Sequence, residues 1–361
     1  MSKILIATGI FPPDVGGPAT YSRALSGELA KRGHSVDVVT YADKDKNLPQ
    51  TDFPVTRIIR SRFKPWHYWK FYRAVVRLGA NTDLIYAQGQ VSEGYPAFMA
   101  ARYLKKPLAV KITGDYSWER AVNSGYTDVL IDEFQNLKDY PPAIKRMRKV
   151  QEAVCRHAAL IITPSEYLKK IVIGWGIKPE KIKVIYNAVE MPEMKLSKDE
   201  AREKLEIDKH TFLIVSSGRN VPWKGFALLE EAVQELQITR PEISLKILHN
   251  SPRQQLHEYI RAADAYVLNT GYEGLSNTLV EVLRLGTPII TTRVCGNPEI
   301  ISDGVNGLLV DYNSKEQLTS AILDLKNDPA LRQKFIDNSV PGARFQFDYM
   351  INETEKVLCA F

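Results

Sequence analysis

The chain has 361 residues, 44% of them apolar and 25% charged, with a net charge of +6. That length exceeds most single domains and makes two the default, with enough apolar content for ordinary cores. No apolar run approaches the roughly 18 to 20 residues that a membrane-spanning helix needs, and Cys155, Cys295 and Cys359 lie far apart with no His at metal spacing, which excludes a disulfide framework.

The cysteines read as reduced thiols of a cytosolic protein. The opening MSKILIATGIFPPD has too short an apolar run and no small-residue cleavage site, so no signal peptide is expected. Charge is asymmetric, +12 through Asn187 and −6 beyond it. The two halves therefore meet different partners, and the basic one suits phosphates or an anionic membrane.

KILIAT, residues 3–8, reads as a strand. A loop follows, then a helix from Pro18 to about Arg32, with Pro in its first turn and Gly33 just past its end. Further strands are predicted at 35–40, 55–60, 83–88, 108–113 and 159–165, with helical segments between most of them, and IKVIYNAV (182–189) closes the series.

The pattern then restarts. A charged stretch, 191–210, leads to a strand at 212–218 and a helix with Phe226, Leu229, Val233 and Leu236 on one face. SLKILHN, AYVLNT and PIITT follow as strands. Strands apolar throughout, separated by helices, form parallel sheets covered on both faces. The expected fold is α/β: two doubly wound, Rossmann-like domains facing a cleft, residues 1–188 and 189–344. The stretch from about 345 to 361 is expected to return to the first domain as a helix. Ligands of such sheets bind beyond the carboxyl ends of the strands.

One such end is GYEGLSNTLVEVLRLG, where Glu273 and Glu281 stand eight positions apart. Gly271 to Gly274 form the loop after AYVLNT, and Ser276 or Asn277 can cap the following helix. Free N–H groups around Leu275, Ser276, Asn277 and Thr278 then offer a phosphate site. Glu273 precedes that site, and Glu281, one turn inside the helix, can accept from vicinal hydroxyls. Arg219 and Lys224 sit at the carboxyl end of the 212–218 strand, where an Arg fork and a Lys point charge can hold a diphosphate. Each feature alone reads equally as solvated surface, but together they converge.

In the order and spacing of its motifs, the chain resembles the GT-B fold retaining glycosyltransferases of family 4, also called group 1. The resemblance spans FPPDVGGPATYSRALSGELAKRGHSVDVVT, IYNAV at the domain junction, GRNVPWKGFALLEEA, the Glu-seven-residues-Glu passage and GTPIITTRVCGNPEIISDGVNGLLV. It implies a hexosyltransferase using a nucleotide-sugar donor and a glycan or lipid-linked acceptor, with retained anomeric configuration, front-face attack and no metal or other cofactor required. Arg219 and Lys224 match residues that neutralise the leaving diphosphate. Glu281 matches the ribose-binding carboxylate and Glu273 the one near the donor sugar. Gly16 and Gly17 match a loop that approaches phosphate and acceptor, where two glycines let N–H groups come close to an anion.

The chain departs from the family at three places. Only HNSPR joins LKIL to the helix near Gln254, where members carry an additional helix and strand that reach the base. KITGDYSWER stands where many members have a sugar-facing His; Asp115 there either orients sugar or acceptor or caps a helix. DKD, residues 43–45, mimics the metal-binding acids of another transferase fold without its context.

The segment from Arg60 to Gly79 mixes cations with Trp and Tyr, and no acid occurs between Phe53 and Thr82. This suits an anionic membrane surface, consistent with a cytoplasmic protein at the inner leaflet, and equally an ordinary helix with a basic face. No nucleic-acid motif accompanies it. Other functions open to this fold are nucleotide-sugar epimerisation and non-catalytic binding; a nicotinamide dehydrogenase is not expected, since TGIFPPDVGG lacks Gly-x-Gly-x-x-Gly.

Overall fold

The apolar runs become the strands of two parallel sheets. The computed structural model describes residues 1–14, 16–43, 50–191, 194, 196–249 and 251–361 and, of Lys64, the backbone alone. Contacts divide the chain into two units, Met1–Tyr186 with Asp348–Phe361, and Asn187–Phe347.

In the first unit, β1 (Lys3–Thr8), β2 (Ser35–Ala42), β3 (Val55–Ile59), β4 (Leu84–Ala87), β5 (Leu108–Lys111), β6 (Leu160–Thr163) and β7 (Ile182–Val184) align as β3-β2-β1-β4-β5-β6-β7. Ile4 registers with Val36 on one side and Leu84 on the other, so the chain reverses its direction of winding between β1 and β4. Ile4, Leu5, Ile6 and Ala7 are wholly buried, as a strand with helices on both faces must be. One core cluster joins Leu5, Val39, Ile85 and Val110 of the sheet to Phe71 and Val75 of the helix Lys64–Gly79.

The first helix runs Gly17–Lys31, with Pro18 in its first turn and Gly33 (φ 86) past its end. The last helix, Phe347–Leu358, belongs to the first unit from Asp348 onward. It buries Met350, Ile351, Thr354 and Leu358. Its Glu355 receives His34 Nε2 at 2.9 Å and pairs with Arg32, while Asn352 accepts from Arg32 Nη1 at 2.7 Å.

In the second unit, β8 (Phe212–Ser217), β9 (Ile243–Leu248), β10 (Ala265–Leu268), β11 (Ile289–Thr292) and β12 (Leu308–Val310) align as β12-β11-β10-β8-β9. The helix Phe226–Thr239 buries Phe226, Leu229, Val233 and Leu236, the face expected from their spacing. Strand β12 is not among the expected strands; three residues are too few to show a period. Among the described residues β9 pairs with β8 alone, because the short connection after Leu248 leads straight into the helix Arg253–Ala262.

Candidate active site

In the second unit, β10 pairs with β8, Tyr266 opposite Val215, so the loops leaving their carboxyl ends are neighbours. Backbone and side-chain bonds tie them together. Gly271 N donates to Trp223 O at 2.7 Å, Thr270 Oγ1 to the same carbonyl at 3.2 Å, and Asn269 Nδ2 to Gly225 O at 3.0 Å. Gly225 has φ 54, and a Cβ there would lie 2.5 Å from Asn269 O, so the close approach of the loops requires glycine.

This clamp brings the sequence-predicted residues together in part. Lys224 Nζ pairs with Glu273 Oε1, both mostly buried. Arg219 is exposed one loop turn earlier. Gly274 is packed by the turn at Gly296, whose N–H donates to Glu273 O at 3.1 Å. Leu275 and Ser276 are buried, and the Ser276 side chain accepts from Leu279 N at 3.3 Å, which makes Ser276 the cap of the helix Asn277–Leu285. The amides of that first turn, through Asn277 and Thr278, carry the positive end of the helix dipole.

Glu281 lies one turn further and is buried. Its Oε1 meets Arg253 Nη2 at 2.5 Å and its Oε2 meets His257 Nε2 at 2.7 Å. The buried Tyr266 bonds Ser217 Oγ at 2.8 Å. Burial above all raises the pKa of its phenol, and the charges of Glu273 and Glu281 add to the rise. His249, in the short connection, bonds Gly218 O at 3.0 Å through Nδ1 and meets the Phe226 ring edge-on at 4.9 Å. Sequence reasoning missed Tyr266, Arg253, His257 and His249. Only the anomalous length of HNSPR pointed to that neighbourhood.

In the first unit, Gly16 precedes the helix Gly17–Lys31 with φ 154, and a Cβ there would stand 2.9 Å from Ile10 Cδ1. Among the described residues no side chain caps that helix. The preceding loop is held by Arg57 Nη2 on Pro12 O at 2.9 Å and by Arg60 Nη2 on Asp14 Oδ2 at 2.9 Å. Where the chain reverses its winding, the buried Glu93 carboxyl fills the space beside Gly9; a Cβ on Gly9 would lie 2.8 Å from its Oε2. Burial pushes Glu93 up to about 7.

Asp115 takes the capping alternative. It is wholly buried, and Oδ1 accepts from Ser117 N at 2.9 Å, Trp118 N at 3.1 Å and Gln151 Nε2 at 3.1 Å, while Oδ2 accepts from Gln135 Nε2 at 2.9 Å. Both of its oxygens are thus engaged inside the unit, as the cap of the helix Tyr116–Asn123. Of DKD, Asp43 pairs with Arg60 at 3.0 Å, and Asp45 lies outside the described residues.

Two doubly wound parallel units, one of seven strands and one of five, define the GT-B class. Structural comparison agrees: the chain superposes on Anabaena Alr3699/HepE, solved with UDP and glucose, with TM-score 0.78, 18% identity and full coverage of both chains. Residues 15–191 match Glycosyltransferase Family 4 and residues 243–340 match Glycosyl transferases group 1. The chain belongs to this glycosyltransferase family. Two similar relatives are lipopolysaccharide core biosynthesis glycosyltransferases of Rhizobium meliloti, LpsD at 30% identity over 58% of this chain and LpsE at 28% over 57%. The chain spans less than two thirds of those relatives' length, 64% and 62%.

Proposed function

We propose that the protein is a retaining transferase that moves a hexose-type sugar from a nucleotide-sugar to a glycan or lipid-linked acceptor in cell-envelope or polysaccharide synthesis. The observation that carries this reading is the constellation at the ends of β8 and β10: Lys224 joined to Glu273 beside the start of a capped helix, with Glu281 buried one turn inside it. The lipopolysaccharide relatives, and the Anabaena protein solved with UDP and glucose and with UDP-glucose, support it.

In this reading Arg219, Lys224 and the amides from Gly274 to Thr278 hold the diphosphate. Lys224 carries three donors, so it can keep Glu273 while reaching a phosphate oxygen. Glu273 faces the donor sugar and Glu281 the ribose, and in the first unit Gly16 and Gly17 offer amides to an anion. The bond from the anomeric carbon to the phosphate oxygen breaks as the bond to the acceptor oxygen forms on the same face. The acceptor's proton passes to the departing phosphate. Catalysis is then electrostatic stabilisation of the leaving group and alignment of two substrates, and fixed cations and amides supply the positive charge without a metal.

A lipid-linked acceptor would be met at the inner face of a membrane. Phe63, Trp66 and Trp69 are exposed along the helix Lys64–Gly79, and Tyr95, Met99 and Tyr103 along the helix Gly94–Leu104. Lys70 and Arg73 lie over the stacked Trp66 and Trp69 rings, and Trp69, Arg73 and Tyr103 line one groove. Aromatic rings interleaved with cations suit an anionic interface.

Steady-state kinetics and nucleotide titrations on two variants test the site. Lys224→Ala is expected to lower turnover by roughly 10²-fold, more than it lowers nucleotide affinity. Glu281→Gln is expected to weaken nucleotide binding about tenfold. Unchanged kinetics in both would remove the site assignment.

A further inference from the structure

The carboxylate read as the ribose ligand is gripped by two residues from the helix that follows the shortened connection. Arg253 is the first residue of that helix and His257 the fifth, so both project from one face toward Glu281. The two grips differ. The His257 side chain is 3% exposed and Glu281 7%, which makes their bond a fixed strut. The Arg253 side chain is 37% exposed, so its fork has room to turn.

Two polar atoms beside this carboxylate are buried without a hydrogen-bond partner among the described residues: Arg253 Nε and Asn277 Oδ1. Asn277 lies four residues before Glu281, on the same face of its helix. Guanidinium only donates, while a carboxylate and an amide oxygen only accept. A group that completes such a set must both accept and donate, as a hydroxyl does, and a vicinal diol supplies two of them.

We propose that Arg253 is the residue by which this chain selects a ribonucleotide donor: held on Glu281 Oε1, it directs its unpaired N–H to a ribose hydroxyl oxygen, whose own proton goes to Glu281 or Asn277. His257 is a positioning residue that fixes the other carboxylate oxygen. This inference rests on the reading of Glu281 as the ribose carboxylate.

The test is isothermal titration of the full chain with UDP, GDP and ADP to find the nucleotide it binds, then with that nucleotide and its 2′,3′-dideoxy form. Arg253→Ala is expected to bind the ribonucleotide about tenfold more weakly and the dideoxy form as the wild type does. Arg253→Lys, which keeps the charge on Glu281 but lacks the fork, is expected to behave like Arg253→Ala. Ribonucleotide binding by Arg253→Ala that is unchanged or tighter would make Arg253 a plug and overturn the inference. An equal loss for both nucleotide forms would make its role structural or base-directed and overturn it too. Glu281→Gln separates the two levels: if that variant still discriminates the dideoxy form as the wild type does, the ribose assignment itself falls. If wild type binds none of the three nucleotides, both readings fall.

Discussion

Lys111 is the last residue of β5, wholly buried, and its Nζ makes no hydrogen bond among the described residues; it rests 3.5 Å from the centre of the Tyr21 ring. Burial lowers its pKa from 10.5 to about 7, and burial raises that of Glu93 from 4.5 to about 7. Between pH 4.5 and 7 the folded chain keeps a proton on Glu93 that the unfolded chain has released, so raising the pH there favours unfolding. Between 7 and 10.5 the unfolded chain holds a proton on Lys111 that the folded chain lacks, so raising the pH there favours folding. Each group contributes a slope of up to about 1.4 kcal/mol per pH unit in its own window. Urea unfolding across pH should therefore show that Glu93→Gln removes a fall below neutrality and Lys111→Met a rise above it. Variants that track the wild type in both windows would show these groups titrating normally.

The elements that matter most were legible in unequal measure. Residues 226–239 announce a helix because Phe226, Leu229, Val233 and Leu236 recur at helical spacing, and the same four are buried. A cap at Ser276 or Asn277 is visible by its place between a glycine loop and an apolar run, and the structure places it at Ser276. The grip of Arg253 and His257 on Glu281 was not legible, because it joins residues 28 and 24 positions apart across two helices that only tertiary packing brings together. Asp115 shows the converse limit: a cap and a ligand are the same residue type in the same loop, and only its four internal donors decide. The exposed aromatic face is likewise half legible. Trp66 and Trp69 stand in a visibly basic segment, but Tyr95, Met99 and Tyr103 join them only through the packing of a second helix. If this face meets a bilayer, the chain should co-sediment with phosphatidylglycerol vesicles at low salt and not with phosphatidylcholine. Trp66→Ala with Trp69→Ala should abolish most of that binding. Equal sedimentation of wild type and double variant would sink the membrane-facing role.

For the whole molecule, the two series of strands were enough to place two doubly wound units, because a strand buried on both faces leaves a continuous apolar run. What composition does not reveal is which nucleotide and sugar are bound, since that depends on a few side chains lining the pocket. The central claim is that the second unit binds a nucleotide-sugar through fixed cations and helix amides, without metal. Thermal unfolding of the purified protein with UDP, GDP, ADP and their sugars, in EDTA throughout, tests it most directly. Binding to the native state alone raises stability by mass action. One nucleotide and its sugar should raise Tm by roughly 5 °C at about 100 times Kd, and the others far less. No shift with any of them, or a shift only when magnesium replaces EDTA, would contradict it.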